Sequence, residues 1–413
     1  MIDLALLRTD YQTTAQKILA KDPHYNVQKL FELDKQVREL TLSIEKKQTQ
    51  KNALAAQART GFTEAMRDES KQLSSSIKEE ETLLESVSAE FRDLYLRCPN
   101  IPFDDLPHGG KEANKVVRTI GAQPTFSFTP QNHLELGTNL GWLDFESAAR
   151  MSGAQFALYK GTAVKMHYAL CMFLFGNALE HGFNPVLPPF LINEKTLECA
   201  SNFPRFKDEV YAVEKDGLYL TPTAEVNLTS LYRDQILAEE DLPIRHMALT
   251  SCFRREAGGY GASERGLIRI HQFDKIELYS ITTPEQSKDE LERMVACGED
   301  ALKKLGLHYQ VSLLASGDCS FASAKTYDIE VWLPGQREYR EVSSASNCTD
   351  FQARRSAIRF RSGAQKTRLV NTLNASSLAL PRLTVALMET YQQSDGSIEI
   401  PEVLKNVSMK MFC

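Results

Sequence analysis

Residues 27–97 carry their hydrophobic positions in a pattern unlike anything that follows. Leu30, Leu33, Val37, Leu40 and Ile44 recur at spacings of 3, 4, 3 and 4. After a break at Arg59-Thr60-Gly61-Phe62-Thr63, Leu73, Ile77, Leu84, Val87, Phe91 and Leu94 continue it. A stripe this narrow is a coiled-coil seam rather than the broad face of a core helix. The break predicts an antiparallel hairpin, with Gly61 supplying the positive φ of a tight reversal. At 1.5 Å per residue, each helix of this arm is on the order of 50 Å long. Lys47 and Lys51 fall on seam positions near the turn, where their stems are expected to snorkel into water.

The pattern changes at Pro99-Asn100-Ile101-Pro102, which ends the second helix because proline cannot continue it. The proline- and glycine-bearing stretch that follows reads as a linker. Residues 1–100 thus form an N-terminal domain, 101–130 a linker and 131–413 a second domain. In the second domain Ala163–Glu180 has helical spacing, and Val186–Leu191 reads as extended. Further strands are expected at Gly217–Leu220, Ala248–Phe253, Leu267–Leu278, Thr326–Leu333, Tyr339–Ser344 and Leu369–Leu373. Strands joined by loops, with helices set apart from them, predict an α+β fold whose antiparallel sheet is flanked by helices.

Composition narrows the function classes. Of 413 residues, 42% are hydrophobic and 25% charged, an ordinary globular balance. No run approaches a membrane span, and the acidic start Met1-Ile2-Asp3 is unlike a transit peptide. The net charge of −6 means that any nucleic-acid contact must come from local basic patches. One is Lys46, Lys47, Lys51 and Arg59, with no acid between them. It reads either as a solvated coiled-coil surface or as a rod touching phosphates. A second is Arg354, Arg355, Arg359, Arg361, Lys366 and Arg368, which either faces an RNA stem or pairs with acids elsewhere. The eight cysteines form no CxxC pair and no zinc-ligand spacing, and scattered thiols suit a reducing cytosol. Neither GxGxxG after a first strand nor GxxxxGK[ST] is present, so nucleotide chemistry here does not use those loops.

The densest polar cluster is Phe253-Arg254-Arg255-Glu256-Ala257-Gly258, a glycine-rich loop to Gly266, then Leu267-Ile268-Arg269-Ile270-His271-Gln272-Phe273-Asp274-Lys275-Ile276-Glu277. Charges set in strands are costly unless they meet a ligand or one another. Arg254 can fork onto a phosphate or carboxylate, Glu256 can accept from an adenine amino group, and Phe273 can stack on the ring. Alternatively, these charges are structural ion pairs.

This cluster resembles motif 2 of the class II aminoacyl-tRNA synthetases, in the form used by seryl-tRNA synthetases. Gly182-Phe183 through Pro189-Phe190-Leu191 is similar to motif 1, Thr223-Ala224-Glu225 to the serine-binding TxE loop, and Leu373-Asn374-Ala375-Ser376 with Pro381-Arg382 to motif 3. Tyr339-Arg340-Glu341-Val342-Ser343-Ser344 resembles the strand that meets ATP and magnesium, and the N-terminal hairpin resembles the arm that grips tRNA. The resemblance implies a class II catalytic domain that activates L-serine with ATP and esterifies tRNA(Ser), with tRNA(Sec) as a second substrate. It implies a cytoplasmic homodimer formed through motif 1, and no structural zinc.

By the same resemblance, Thr223, Ala224, Glu225, Arg254, Glu277, Asn374 and Ser376 hold serine. Arg254, Arg255, Glu256, Ile270, His271, Gln272, Phe273, Glu341, Val342, Ser343, Ser344 and Arg382 surround ATP. Glu341 and Ser344 take Mg2+, and Arg254, Glu341 and Arg382 serve catalysis. Lys46, Lys47, Lys51 and Arg59 contact tRNA. Pro381 stands where the family often has glycine, and it removes an N–H donor just before Arg382. The tail Asn406–Cys413 carries no functional reading.

Overall fold

The computed structural model describes residues 1–256 and 265–410, the side chains of 408–410 excepted. The glycine-rich stretch 257–264 and the end of the tail, 411–413, lie outside the described residues. The chain forms two compact units, Asp3–Pro99 and the residues from Asn100 onward.

In the first unit, α1 (Leu4–Thr9) and α2 (Tyr11–Lys21) precede the long pair α3 (Val27–Gln57) and α4 (Glu64–Leu96). Asn26 caps α3 by accepting from the Lys29 N–H, and Thr63 caps α4 by accepting from the Met66 N–H. Lys29 pairs with Glu90 and Lys47 with Glu80, so the partner number falls as the first rises and the helices run antiparallel. Leu30, Leu33 and Ile44 of α3 are buried, as are Ile77 and Val87 of α4, all positions of the seam that the 3–4 spacing predicts; at the end of α4 it is Leu96 that is buried, while Leu94 is half-buried.

Two details of the arm differ from expectation. Gly61 does not adopt a positive φ. The reversal is spread over several residues instead, with the Thr60 and Gly61 N–H groups both donating to the Gln57 carbonyl. Lys47 does not snorkel. Its ammonium donates to Ser76 Oγ at 2.6 Å and to Glu80 Oε1 at 2.9 Å, because α4 presents an acid where the sequence of α3 alone shows none.

The second unit is built on one large sheet. Its strands are β1 (Lys115–Ile120), β2 (Asn184–Pro185), β3 (Ile244–Phe253), β4 (Gln272–Thr282), β5 (Tyr309–Leu313), β6 (Lys325–Leu333), β7 (Glu338–Asn347) and β8 (Asn371–Ala379). Their order across the sheet is β1-β5-β6-β7-β8-β4-β3-β2. Every neighbouring pair is antiparallel except β2 with β3. The helices that matter for the site are α5 (His133–Asn139), α6 (Thr162–Glu180), α7 (Ala224–Ser230), α8 (Ser287–Lys304) and α9 (Leu380–Thr390). The principal core joins sheet residues such as Ile276, Leu278, Val311, Ile329 and Leu373 to Leu170 and Leu174 of α6, Met294 and Leu302 of α8, and Leu383 and Leu387 of α9.

Three strand expectations need correction. The strand after motif 2 starts at Gln272, not Leu267. The backbone of 267–271 is taken by other partners: the Leu267 N–H donates to His133 Nε2, the Ile268 carbonyl accepts from Arg382, and the His271 N–H donates to the Gln155 carbonyl. The expected strand Leu369–Leu373 is divided. Arg368–Leu369 belongs to a small three-stranded sheet, and β8 starts at Asn371 in the large one. In the run 186–191 only Leu191 is in a strand, Leu191–Asn193, because Pro188 and Pro189 bring no N–H to a ladder. Pro381 is harmless, since it lies in the first turn of α9, where its missing N–H has no intrahelical partner to lose.

Much of the second basic cluster is paired. Arg354 meets Asp350, Arg368 meets Glu285, and Arg355 is buried against the Phe351 ring. The seven described cysteines are buried and form no disulfide. Burial pushes the thiols of Cys171 and Cys297 up to about 12, which leaves them unreactive near neutral pH.

Candidate active site

A cavity of about 330 Å³ lies against β4, β7 and β8 and is closed by segments 254–256 and 267–270 and the start of α9. Strand geometry selects its side chains. Phe273, Lys275 and Glu277 alternate along β4, so all three share one face. On β7, Glu341 and Ser344 are an odd number apart, yet both line the cavity. A bulge reconciles them: Glu341 pairs with Glu330 and Ser343 with Ile329, which leaves Val342 as the extra residue. On β8 a second bulge, between Ser376 and Leu378, brings Asn374, Ser376 and Ala379 to the same wall.

One end of the cavity is a buried polar cluster. Lys275 and Glu277 form an ion pair with 6% and 1% of their surface exposed. Thr223 Oγ1 accepts from Lys275 Nζ at 2.7 Å, donates to Glu277 Oε2 at 3.2 Å, and caps α7 by accepting from the Glu225 N–H. Glu225 accepts from Gln352 Nε2 at 2.7 Å and from Asn374 Nδ2 at 3.2 Å. Burial and then the Glu277 charge push its carboxyl up to about 7, against the opposing pull of Lys275, the Gln352 bond and Arg254. A primary ammonium with a small polar side chain suits this end, since it would supply the positive charge that Glu225 lacks.

The other end is rich in guanidinium groups. The Arg254 guanidinium donates to the Pro222 carbonyl at 3.1 Å and lies 5.3 Å from the Phe273 ring centre. Arg382 donates to the Ile268 carbonyl at 3.2 Å and the Glu341 carbonyl at 2.9 Å, with the Glu341 carboxylate 3.4 Å away. Glu256 pairs with Arg269. Three arginines, an aromatic ring and two acids around this end of the cavity suit a planar base carrying phosphates.

Most of the residues singled out from the sequence meet here: Glu225, Arg254, Glu256, Ile270, Phe273, Glu277, Glu341, Ser344, Asn374, Ser376 and Arg382. Others do not reach the cavity. Thr223 has its hydroxyl fully used in orienting Lys275 and Glu277, and Ala224 is buried in an apolar cluster under α7. Arg255 turns away to the Val210 carbonyl and the Tyr211 ring. His271 bonds the Arg254 carbonyl through Nδ1. Gln272 lines a separate cavity of about 270 Å³ that shares Ile270, Phe273 and Pro381 with the first. Val342 and Ser343 are buried in the bulge, where Ser343 Oγ donates to the Ser376 carbonyl. In the first unit, Lys46 and Arg59 are exposed and Lys51 half-buried, while Lys47 is spent on Glu80.

Sequence reasoning missed Lys275. Its signal was present, because it lies midway between Phe273 and Glu277 in a period-2 strand. Arg269 and Ser346 were also missed, and only tertiary structure brings them in.

Comparison with known proteins follows the same outline. The family model of the seryl-tRNA synthetase N-terminal domain matches residues 1–102, and that of the tRNA synthetase class II core domain (G, H, P, S and T) matches 207–391. The serine–tRNA ligase of Chlamydia abortus is 44% identical, over 98% of this chain and 97% of its own length. That of Desulfotalea psychrophila is 49% identical over 82% of this chain and 80% of its own length. The crystal structure of seryl-tRNA synthetase from Pyrococcus horikoshii complexed with ATP matches with a TM-score of 0.93 at 32% identity, covering 99% of this chain and 98% of that one.

Proposed function

The chain belongs to the seryl-tRNA synthetase family, an aminoacyl-tRNA ligase joining serine to tRNA, and from that premise we propose how its own residues do the work. Serine occupies the Glu225–Lys275–Glu277 end of the cavity and ATP the Arg254–Arg382 end. The serine carboxylate attacks the α-phosphorus of ATP, the bond to the β-phosphate oxygen breaks, and pyrophosphate leaves. A ribose hydroxyl at the tRNA 3′ end then attacks the carbonyl of the adenylate, forming the ester and releasing AMP.

The protein contributes position and charge rather than a covalent intermediate. Arg254 bridges the serine carboxylate and the α-phosphate, offsetting the repulsion between two anions as they approach. Arg382 holds the terminal phosphates, Phe273 stacks under adenine, and Glu256 accepts from its amino group. Glu341 and Ser344 offer the hard oxygen donors that Mg2+ prefers. Beside them on β6, Asp328 is paired in register with Ser344, and its Oδ1 is buried without a partner. Burial and the Glu341 charge hold the Asp328 carboxyl well above the usual carboxylate range. That need for positive charge fits a divalent ion, which would neutralise the phosphates when bound.

The observation that carries this reading is the meeting of the buried Lys275–Glu277 pair and the two guanidinium groups in one cavity. Dimerisation is assigned to motif 1, supported by the exposed row Tyr168, Met172 and Leu179 on α6, with Leu187 beyond it. Among the described residues no helix is long and apolar enough to cross a membrane. A cytoplasmic site of action follows from the role in translation, and tRNA(Sec) is proposed as a second substrate on family likeness.

A pH profile tests the serine end. The groups facing Glu225 are Glu277, Lys275 and Tyr279 on β4, Arg254 after β3, and the amides of Gln352 and Asn374. An ammonium binds the ionised carboxylate, so the KM for serine should fall by up to about tenfold per unit as pH rises towards 7, and level off above it. The stability of the ligand-free chain runs the other way. Folded Glu225 keeps its proton to about 7 against 4.5 for an ordinary glutamate, so its stabilising contribution is lost as pH rises through that window. A serine KM independent of pH from about 5.5 to 8 would remove Glu225 from the ammonium site.

A further inference from the structure

We propose that His133 is a positioning residue for the ATP end of the site, acting through the backbone of Leu267 and Ile268. The inference rests on the nucleotide reading above and assigns a role outside the cavity. His133 opens α5, is 2% exposed, and does not line the cavity.

Its ring is held from both sides. The Leu267 N–H donates to Nε2 at 3.3 Å, and Nδ1 lies 3.3 Å from Glu389 Oε1. A backbone N–H can only donate, so Nε2 is the acceptor and the ring proton sits on Nδ1, aimed at the carboxylate. Glu389 is fully buried near the end of α9 and is well satisfied. Its Oε1 also accepts from the His133 N–H at 3.1 Å and Gln336 Nε2 at 2.9 Å, and its Oε2 from the Gly335 N–H at 2.9 Å. A carboxylate this committed is a rigid mount for the ring.

The ring in turn fixes the cavity wall. Gly266 has φ +72, and a Cβ there would lie 2.2 Å from His133 Nε2, so the chain is pressed against the imidazole. Two residues on, the Ile268 carbonyl accepts from Arg382 Nε. Arg382 and Glu389 stand on the same helix, so α9 grips segment 266–268 twice: once directly, and once through His133. The hydrogen bonds described above for the serine-end groups Glu225, Lys275, Glu277 and Asn374 run to Thr223, Gln352 and one another, and not to His133 or Glu389. A loosened ring should therefore move the nucleotide wall and spare the amino-acid pocket.

The test compares His133→Ala, His133→Asn and Gly266→Ala in the full chain. Misplacement of a positioning group by an ångström costs up to about a hundredfold. His133→Ala should accordingly raise the KM for ATP about 10- to 100-fold while the serine KM stays within about twofold. His133→Asn should recover most of the loss, since its carbonyl can accept from Leu267 and its amide can donate to Glu389. Gly266→Ala attacks the same contact from the other side and should repeat the ATP-selective defect, which keeps the test decisive if His133→Ala does not fold. The rise in thermal midpoint on adding ATP alone gives a readout independent of turnover, and should shrink in His133→Ala and Gly266→Ala. Equal changes in both KM values, no change in either, or no recovery with asparagine would overturn the proposal. Absence of serine-dependent exchange in the unaltered chain would instead overturn the nucleotide reading beneath it.

Discussion

Excision of about residues 28–97, with the ends rejoined, should leave serine-dependent ATP–pyrophosphate exchange largely intact and abolish charging of tRNA. Every residue of the candidate site lies between 223 and 382, within the second compact unit, and the excised helices lie within the first. The second unit has its own extensive core and loses none of it. The arm has a thin seam and a basic stretch near its turn, features that serve contact with a polyanion better than chemistry. A-form RNA offers little base information in its deep groove, so the contact should be to backbone and shape. The salt dependence of tRNA binding should follow. Neutralising Lys46, Lys51 and Arg59 should flatten it by about 0.7–0.9 log units per lost phosphate contact. Lys47 is a different case, because its charge is committed to Glu80 and Ser76, and its replacement should loosen the hairpin itself. Normal charging by the armless chain would make the arm an assembly device and end its RNA role.

The second large effect belongs to Arg254→Ala. Loss of one preorganised donor at developing charge typically costs about 10²–10³ in rate, or roughly 2.7–4 kcal/mol. Here the same side chain also lies over Phe273, so the ATP KM should rise alongside the fall in adenylate formation. Folding should survive, since Arg254 is half-buried at the cavity wall and its guanidinium is anchored to the Pro222 carbonyl rather than to the core. Single-turnover adenylate formation and a thermal melt separate loss of catalysis from loss of fold. A variant with near-normal adenylate formation, or one that fails to fold, would make Arg254 a structural residue.

What the sequence made legible follows the strength of the local signal. The arm was readable because a 3–4 spacing sustained over Leu30 to Ile44 and Leu73 to Leu94 suits a coiled coil and little else. The two departures there have different sources. The turn at Gly61 is set by bonds to the Gln57 carbonyl at the end of α3, and the partner of Lys47 lies on the opposing helix, which a single stretch of sequence does not display. The central strands β3, β4, β6 and β7 were placed to within a few residues, except that β4 begins five residues later than expected. There Leu267, Ile268 and Ile270 look like strand because they are apolar, yet the Leu267 N–H, the Ile268 carbonyl and the His271 N–H are held by His133, Arg382 and Gln155. In the site, motif 2 and motif 3 pointed to residues that do converge on one cavity. The singled-out residues whose side chains do not line the cavity include several at a bulge or a helix cap. Val342 and Ser343 are set off the cavity wall by the bulge, and the Thr223 hydroxyl is held by Lys275, Glu277 and the Glu225 N–H, neither of which a stretch of sequence displays. Lys275 was within reach of period-2 reasoning, but a lysine flanked by better-known motif residues gives no local sign that it is buried against an acid.

The central claim is that one cavity recognises serine by its hydroxyl and ammonium and joins its carboxylate to ATP. Pyrophosphate exchange by the intact chain, run with serine and with alanine at equal concentration, measures this most directly. A pocket built to bond a substrate hydroxyl loses that bond, and leaves a buried polar group short of it, when the hydroxyl is missing. The account therefore predicts a preference for serine on the order of 10⁴ in kcat/KM. Exchange with alanine within about tenfold of serine would contradict it.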